Sequence, residues 1–502
     1  MCMVSTPTSR IATQSRVTKL LPLIAAIGYG LAGYAHAANI PVNDASAGSV
    51  PGSCTLIDAV AAVNTASAVN GCAAGDGNGD VIDLTGFHTP TTISLTQSAS
   101  GLKHALSLTR AASIVGALAA DGTPYVTIER GTASGTPNFG LILSTEPLTI
   151  HGLILQNGFL DAGYCGGAIL AGDTLTVSNS ILRANNVPEG GGGAITATKG
   201  MTLTHSTVTG NSAANGGGGI ESNAYLNIDY STISNNSVTA SGAAGGGGVY
   251  ASGAIVVHHS IISGNTSATV GGGIYSMYAL NMVDSTLSGN AAQNGAGGGV
   301  FALYTGASLT SSTVTGNTAS TKGGGINANE VDFTNSTFYR NSANGDGGAV
   351  FANDITAAYS TLAGNTARGG DGGGFTFIGS ATVYGTIVNA NTPADVGSVN
   401  RIPVNGAFNL IGSAPWGAPL GTLQCDPQLT ALADNGGATK TMAPGSGSCV
   451  IDAASATPNV STDQRGAPRP SVAGTRADIG AVELGTPQAS PSDELFKGAF
   501  GG

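Results

Sequence analysis

Charged side chains that could do chemistry are sparse in this chain, and three of them recur at one position of an internal repeat. Lys322, Asp346 and Asp371 each stand four residues before the apolar residue that closes a glycine-rich block. If the repeats stack, these side chains form a column. A lysine beside two carboxylates could catalyse acid–base cleavage of a glycosidic bond, or the carboxylates could bind a metal cation. A solvated turn with a Lys–Asp pair is the alternative, and we prefer it.

A second group of oxygen ligands lies near the start of the chain. Asp76, Asn78 and Asp80 alternate as the ligands of a calcium loop do. However, Val81 stands where an EF-hand loop needs glycine, and Phe87 where it needs glutamate. A polar turn is therefore the preferred interpretation, and we expect no cofactor.

Aromatic residues suggest a binding surface. Four glycine-rich blocks have an aromatic residue directly after their apolar residue, and two further tyrosines follow three positions later. Because side chains alternate along a strand, the neighbour of an inward residue points outward. Such an exposed aromatic column could lie against sugar rings or a partner surface, although ordinary packing between strands is the alternative. The six residues are Tyr250, Tyr275, Phe301, Phe351, Tyr278 and Tyr304.

The elements that must position these side chains follow from the repeat. Nine glycine-rich blocks begin 24 to 29 residues apart, which is typical of a stacked solenoid. Between them lie apolar runs of strand length without a helical period. We predict an all-β, right-handed, single-stranded parallel β-helix of the pectin lyase-like type, with three short strands per coil, roughly 25 residues per coil and capping elements at both ends. The blocks lie at 166–169, 192–195, 217–220, 246–249, 271–274, 297–300, 323–326, 347–350 and 372–375.

Stacked coils place equivalent residues in columns. The residue that closes each block should form an inward apolar column, comprising Ile195, Ile220, Val249, Ile274, Val300, Ile326, Val350 and Phe375. A Ser-Thr motif precedes most blocks and ends on asparagine. Stacked asparagines can hydrogen-bond to one another, because each amide both donates and accepts. The predicted ladder comprises Asn211, Asn236, Asn265, Asn290, Asn317, Asn341 and Asn365.

Composition and the N-terminus indicate export. The net charge is −11 and only 9% of the residues are charged, so nothing resembles a basic surface for nucleic acid. Basic residues, an apolar run at 20–32 and an Ala-His-Ala sequence predict a signal peptide over 1–37. We expect no transmembrane span in the mature chain, and an extracellular or outer cell-surface location. The oligomeric state stays open.

Cysteine spacing agrees with an oxidising compartment. The pairs Cys54–Cys72 and Cys425–Cys449 are close in sequence and lie on either side of the repeats, which favours two local disulfides that staple the caps. Cys165 is then left over, either buried and inert or a free thiol.

Three family resemblances add context. The sequence CTLIDAVAAVN at 54–64 resembles the CSLREA module, although Ile57 and Asp58 replace its Arg-Glu pair. We expect a short helix at 54–66 that covers the first coil. The repeats over 165–391, including FYRN at 338–341, resemble those of the polymorphic outer membrane proteins.

The C-terminal part contains CDPQLTALADNGG at 425–437, TDQRGAPRP at 462–470 and ADIGAVEL at 477–484. These sequences resemble the choice-of-anchor Q module of bacterial secreted proteins, which implies a surface context and no catalysis. A dense charge cluster in it is either a site or, as we prefer, a buried ion-pair network that locks the cap. The cluster comprises Asp463, Arg465, Arg469, Asp478 and Glu483. The predicted division is a signal peptide at 1–37, an N-terminal cap at 38–100, the β-helix at 101–400, the C-terminal module at 401–484 and a flexible tail at 485–502.

These observations favour a non-catalytic, adhesin-like or glycan-contacting protein, with a polysaccharide or a host-cell or other surface ligand as its partner. The alternatives are a polysaccharide lyase or glycoside hydrolase with an unrecognised site, and a structural surface spacer. The Asp-Asp, Gly-His-Gly and Arg-x-Lys signatures of hydrolases with this fold are absent from the chain, so the sequence leans away from an enzyme without deciding the question.

Overall fold

The computed structural model describes residues 37–161, 163–242, 245–455, 459–472 and 475–485. They form a parallel β-solenoid of about 11 turns with about 26 residues per turn and almost no helix. The predicted parallel β-helix and its period are confirmed. The predicted signal peptide lies outside the described residues except for Ala37, and the predicted tail lies outside them except for Gly485.

Three sheets make up the described solenoid, and a turn carries up to four short strands rather than the expected three. Face A is a 23-stranded sheet with two adjacent columns of strands, face B has 13 strands and face C has nine. The first column of face A comprises His104–Leu108, Gly140–Ser144, Ile169–Ala171, Ile195–Ala197, Ile220–Ser222, Val249–Ala251, Ile274–Ser276, Val300–Ala302, Ile326–Thr334, Val350–Ala358, Phe375–Tyr384 and Val396–Ser398. Three of these strands, those beginning at 326, 350 and 375, run on into the second column.

The remaining strands follow the same periodicity. The second column of face A comprises Asn39–Pro41, Asp80–Leu84, Ala112–Gly116, Leu148–His151, Leu175–Ser178, Met201–Thr204, Leu226–Asp229, Ile255–His258, Leu280–Val283, Gly306–Thr310 and Asn405–Ala407. Face B comprises Thr91–Leu95, Val126–Arg130, Leu153–Gln156, Ile181–Arg183, Thr207–Thr209, Thr232–Ser234, Ile261–Ser263, Thr286–Ser288, Thr313–Thr315, Thr337–Tyr339, Thr361–Ala363, Ile387–Asn389 and Leu410–Ile411. Face C comprises Asn186–Gly191, Ser212–Gly217, Ser237–Val238, Gly245–Gly246, Thr266–Ser267, Ala291–Ala292, Thr318–Ala319, Ser342–Ala343 and Thr366–Ala367.

The apolar residues that close the glycine-rich blocks line the core. Ile195 pairs with Ile220 on the next turn, and Ile220 pairs with Val249, so the column is in register. All eight predicted members, from Ile195 to Phe375, are fully buried. Full burial of one such side chain stabilises the fold by about 1.5–3 kcal/mol, so the column is a main source of cohesion between turns.

An asparagine ladder runs along the bend after face B. Asn265 donates from its backbone N and from Nδ2 to Asn290 Oδ1, both at 3.0 Å, and Nδ2 also donates to the backbone oxygen of Ile233 at 2.9 Å. The same pattern links the seven predicted asparagines and extends to Asn185 and Asn391. These amides are buried and hydrogen-bonded, as burial of a polar group requires.

A serine ladder accompanies it at the bend before face B and was not foreseen. The backbone N of Ser206 donates to Ser231 Oγ at 3.1 Å, and Ser231 N donates to Ser260 Oγ at 3.0 Å. The serine of the Ser-Thr motif therefore links consecutive turns.

One helix, Leu56–Thr65, covers the first turn, as predicted for 54–66. Thr55 caps it by accepting a hydrogen bond from Asp58 N, and the Asp58 carboxylate accepts one from Thr55 Oγ1 at 2.8 Å. Its buried face packs into the main core. The predicted disulfide between Cys54 and Cys72 is present next to the helix.

Residues 425–455, 459–472 and 475–485 pack near the last turn and also reach turns well before it. They lie along the outside of face B: Thr313 Oγ1 donates to the Lys440 backbone oxygen at 2.6 Å, and Ala481 N donates to Thr361 Oγ1 at 3.0 Å. A chain segment just before them pairs with the last turn, since Leu423 N donates to the Asn409 oxygen at 2.8 Å.

The docked segment, which comprises residues 425–455, 459–472 and 475–485, has its own small core. Val450, Ala454 and Ile479 pack there against Tyr359 and Ile387 of the β-helix. The predicted disulfide between Cys425 and Cys449 crosslinks the segment. Outward-facing threonines of face B, such as Thr313 and Thr361, contact the docked segment.

The charge cluster of the docked segment is a buried network. Arg465 pairs with Asp463 at 2.8 Å and Arg469 with Glu483 at 3.3 Å. Arg469 also donates to the backbone oxygens of Asp478 and Gly480. Burial raises the pKa of the Asp478 and Glu483 carboxyls, so the network holds charge at a cost that its hydrogen bonds offset.

No helix in the described residues is long and apolar enough to cross a membrane. Cys165 is buried, and the described cysteines include no free one, so the free-thiol interpretation of Cys165 is not supported.

Candidate functional site

Stacked aromatic rings occupy the outer side of the first column of face A. Tyr250 pairs with Tyr275 in the strand register, and Tyr275 pairs with Phe301. The ring centroids of Tyr250 and Tyr275 are 5.1 Å apart with 15° between the planes, and those of Tyr275 and Phe301 are 5.5 Å apart with 22°. The parallel register of successive turns therefore produces a continuous three-ring stack.

The stack is less exposed than the sequence suggested. Tyr275 is only 4% exposed and Phe351 only 8%. Tyr275 has a ring on each face, and Lys322 Nζ lies 4.3 Å from the centroid of Phe351, so neighbouring turns cover both residues. Asn327 separates Phe301 from Phe351 in the register, which interrupts the column. The expectation of an exposed column is corrected to a half-buried stack with Tyr250 and Phe301 partly accessible.

The exposed aromatic surface lies beside this stack, at the bend between the two columns of face A. Tyr278 is 50% exposed and Tyr304 is 59% exposed, with their centroids 6.0 Å apart and the planes tilted by 51°. Tyr250 Oη donates to the sulfur of Met277, the residue before Tyr278, at 3.5 Å. We call Tyr250, Tyr278, Phe301 and Tyr304 the aromatic patch.

Burial affects the phenols of the stack. It raises the pKa of Tyr250 and of Tyr275, so both stay protonated at neutral pH and can donate hydrogen bonds.

Another exposed tyrosine, Tyr225, lies at the bend between the two columns of face A, on the turn before Tyr250, and its ring covers Gly200. Tyr225 was not predicted because the residue directly after its glycine-rich block is Glu221, so no aromatic residue there pointed to it.

Glu221 extends the outer column by one turn and was also missed. It pairs with Tyr250 in the register. Its Oε2 atom is buried with no hydrogen-bond partner, close to the backbone of Gly191 and Gly216. Burial raises the pKa of this carboxyl to about 7. The patch therefore has a titratable group beside it that a single-sequence pattern did not reveal.

The structure brings the candidate catalytic column together. Lys322 Nζ lies 3.3 Å from Asp346 Oδ2, and Asp346 Oδ1 accepts a hydrogen bond from Asp371 N at 3.0 Å. One oxygen of Asp346 is therefore ion-paired with the preceding turn, and the other is hydrogen-bonded to the following turn. This arrangement matches a turn with a Lys–Asp pair and leaves Asp371 as the exposed carboxylate.

The candidate calcium ligands form a hydrogen-bonded turn. Asp80 accepts from the backbone N of Asp76 at 2.9 Å and of Gly77 at 3.3 Å, and Asp76 accepts from Asn78 N at 2.8 Å. The carboxylates thus stabilise the turn itself. No group of three or more His, Cys, Asp or Glu side chains suited to a metal ion occurs among the residues that the structure describes.

A second aromatic stack lies at the bend between face A and face B. The rings of His205, Tyr230 and His259 are nearly parallel, with centroid distances of 5.1 and 4.5 Å. The three residues share one position of the repeat: His205, Tyr230 and His259 each directly precede the serine of a Ser-Thr motif, so the stack follows from the period.

Comparison with known proteins supports the repeat type. The model of the Chlamydia polymorphic membrane protein repeat matches residues 259–277 and 335–353. Each match runs from a Ser-Thr motif through the following glycine-rich block, and together they include Tyr275 and Phe351. No curated protein and no solved structure matches the chain significantly. Repeats of this type in a β-helix fit a surface or autotransporter-like protein.

Proposed function

We propose that this chain is an exported, adhesin-like surface protein that binds an extended glycan along the aromatic patch without cleaving it. The observation that carries the proposal is the exposed pair Tyr278 and Tyr304, whose rings lie 6.0 Å apart beside the half-buried Tyr250 and Phe301. The C–H faces of sugar rings pack on aromatic rings, and exposed apolar surface of this kind marks interaction sites.

The charge around the patch favours a neutral ligand. No lysine or arginine occurs between residues 200 and 321, whereas Glu221 pairs with Tyr250 of the patch. An acidic polysaccharide would therefore meet no cation on these turns. Neutral glycans should bind better than acidic ones.

Features of the sequence that favour export to the cell surface also support the proposal. The predicted signal peptide at 1–37 and the resemblances of 54–64 and 425–484 to modules of secreted bacterial proteins stay predictions, and all three favour export. The repeat match adds the outer-surface context of the polymorphic membrane proteins.

The geometry of Lys322, Asp346 and Asp371 does not support catalysis by this column. Asp346 is held by Lys322 and by the backbone of Asp371, and a glycosidase needs two free carboxyl groups that flank one bond. A polysaccharide lyase or hydrolase is therefore an outcome of the test below and not a second proposal.

The test measures retention and product release together. Purified protein is passed over immobilised xylan, β-glucan, polygalacturonate and alginate, and the eluates are analysed by mass spectrometry with and without Ca²⁺. We expect retention on a neutral polysaccharide and no oligosaccharide product. A specific oligosaccharide product would overturn the non-catalytic account, and no retention on any of them would leave a spacer role.

A further inference from the structure

The docked segment shows that one strip of the β-helix is suited to binding a polypeptide. The strip consists of the bend before face B and the first outward residue of each face B strand. On the last turns, Gln464 lies between Thr337 Oγ1 at 2.6 Å and Thr313 Oγ1 at 3.1 Å. The Arg469 guanidinium lies 4.6 Å from the ring centroid of Tyr359, which occupies the bend.

The same strip continues without this cover on the preceding turns. The bend residues there have the same left-handed backbone, with φ of 45° at Tyr230 and 48° at Asp284, compared with 46° at Tyr359. Ile261, the face B residue that corresponds to the fully buried Thr361, is 40% exposed. We call these turns the open strip, and it comprises His205, Thr207, Asp229, Tyr230, Thr232, His259, Ile261, Asp284 and Thr286.

The open strip is acidic and carries no permanent cation. Asp229 Oδ1 lies 3.8 Å from His259 Nδ1, and Asp284 Oδ2 lies 3.6 Å from His259 Nε2. The two carboxylates therefore flank the end of the aromatic stack. Because no lysine or arginine lies between residues 200 and 321, no side chain from that stretch can neutralise them permanently.

We propose that the open strip binds a basic, extended polypeptide segment of a partner protein. Continuity with the docked segment supports a polypeptide, since threonines at equivalent positions bind Gln464 and the backbone oxygen of Lys440 further along the strip. Charge complementarity supports arginine or lysine, placed at Asp229 and Asp284 beside the rings. This surface lies on a different bend from the aromatic patch and is independent of glycan binding.

The experiment uses a short synthetic peptide of arginine, threonine and glutamine, and a second peptide with glutamate in place of each arginine. Fluorescence anisotropy measures their binding to the purified chain at low salt. We expect the arginine peptide to bind and the glutamate peptide not to bind. The double variant Asp229→Asn with Asp284→Asn should bind the arginine peptide at least about fivefold more weakly, as the loss of two exposed ion pairs implies.

The matched control is Asp121→Asn with Asp371→Asn, which changes the net charge equally at two exposed positions outside the strip, and it should bind the peptide like the wild type. Ile261→Glu should bind more tightly, because it adds a carboxylate to the strip. Equal weakening in both double variants would show only general charge attraction and overturn the proposal. Absence of peptide binding would overturn it as well, as would a dimer of the chain that the strip variant dissociates.

Discussion

Asp395 ends the asparagine ladder by accepting hydrogen bonds from both the backbone and the side chain of Asn391. The backbone N and Nδ2 of Asn391 donate to Asp395 Oδ1 at 2.9 and 2.8 Å. The second oxygen of Asp395 accepts from Ser413 Oγ at 3.1 Å. The last amide of the ladder is thus satisfied by a carboxylate that also holds the segment closing the solenoid. Without such an acceptor, the backbone N of Asn391 would be unpaired, while Nδ2 would keep its hydrogen bonds to the backbone oxygens of Leu362 and Asn389.

Removing this acceptor should destabilise the protein. Asp395→Ala leaves the buried backbone N of Asn391 unpaired and removes one acceptor of its Nδ2, so we expect the free energy of unfolding to fall by about 1–3 kcal/mol. Asp395→Asn keeps an acceptor oxygen and should cost less than half as much. Urea unfolding followed by circular dichroism measures both. If Asp395→Ala unfolds at the same urea concentration as the exposed Asp371→Ala, the ladder does not depend on its terminal carboxylate.

Glu221 should make stability depend on pH. Its pKa is about 7 in the folded protein and near the ordinary 4.5 when unfolded. Between these values the folded state binds a proton that the unfolded state has released, so the free energy of unfolding falls as pH rises. We expect Glu221→Gln to be more stable than the wild type at about pH 8, by roughly 3 kcal/mol, because each unit of pKa difference corresponds to about 1.4 kcal/mol.

The two proteins should have similar stability at about pH 4, where Glu221 is protonated in both states. Thermal unfolding across this range checks the difference. If the stability of Glu221→Gln and of the wild type changed with pH in the same way, the pKa of the Glu221 carboxyl would not be raised.

Arg469 should hold the docked segment on face B. Arg469→Ala leaves the buried Glu483 carboxylate without its ion pair and removes the contact with Tyr359, so a loss of about 3–5 kcal/mol is expected. Hydrogen exchange should rise in residues 425–485 while the turns before Thr313 stay protected. The control is Arg401→Ala, because Arg401 lies over Trp416, which is 39% exposed. Equal exchange in both variants would show that Arg469 is not the anchor.

Glycines of the repeat differ in how much a methyl group would disturb them. A Cβ at Gly247 would lie 2.2 Å from the backbone oxygen of Gly272, so Gly247→Ala must displace the neighbouring turn. A Cβ at Gly210 meets nothing within 4 Å, and only its φ of 64° opposes alanine. We expect Gly210→Ala to cost about 1 kcal/mol and Gly247→Ala clearly more. If Gly210→Ala and Gly247→Ala lowered the free energy of unfolding equally, the turns would not be packed as closely at Gly247 as the structure shows.

The repeat made much of the fold predictable. The inward column from Ile195 to Phe375 and the ladder from Asn211 to Asn365 follow from a constant period, because stacking at constant register repeats one environment. Contacts outside the repeat were not predictable in this way. The bond between Ala481 N and Thr361 Oγ1 joins residues 120 positions apart, and no periodic pattern encodes it.

The candidate site was predictable only in part. The order of Tyr250, Tyr275 and Phe301 in the stack follows from the period, but the burial of Tyr275 depends on rings from both adjacent turns. The unpaired oxygen of Glu221 depends on how closely the backbone of Gly191 and Gly216 approaches. Such distances are set by three-dimensional packing and leave no signal in residue spacing.

The most direct test of the central claim is the affinity of the variant Tyr278→Ala with Tyr304→Ala for the polysaccharide that the wild type retains most tightly. Both rings are exposed, so the variant should fold normally and bind at least about tenfold more weakly. The matched control is Tyr384→Ala, which removes a ring that is 44% exposed outside the patch. Isothermal titration with the soluble polysaccharide should give an unchanged Kd for the control. An unchanged Kd for the double variant would contradict glycan binding by the aromatic patch.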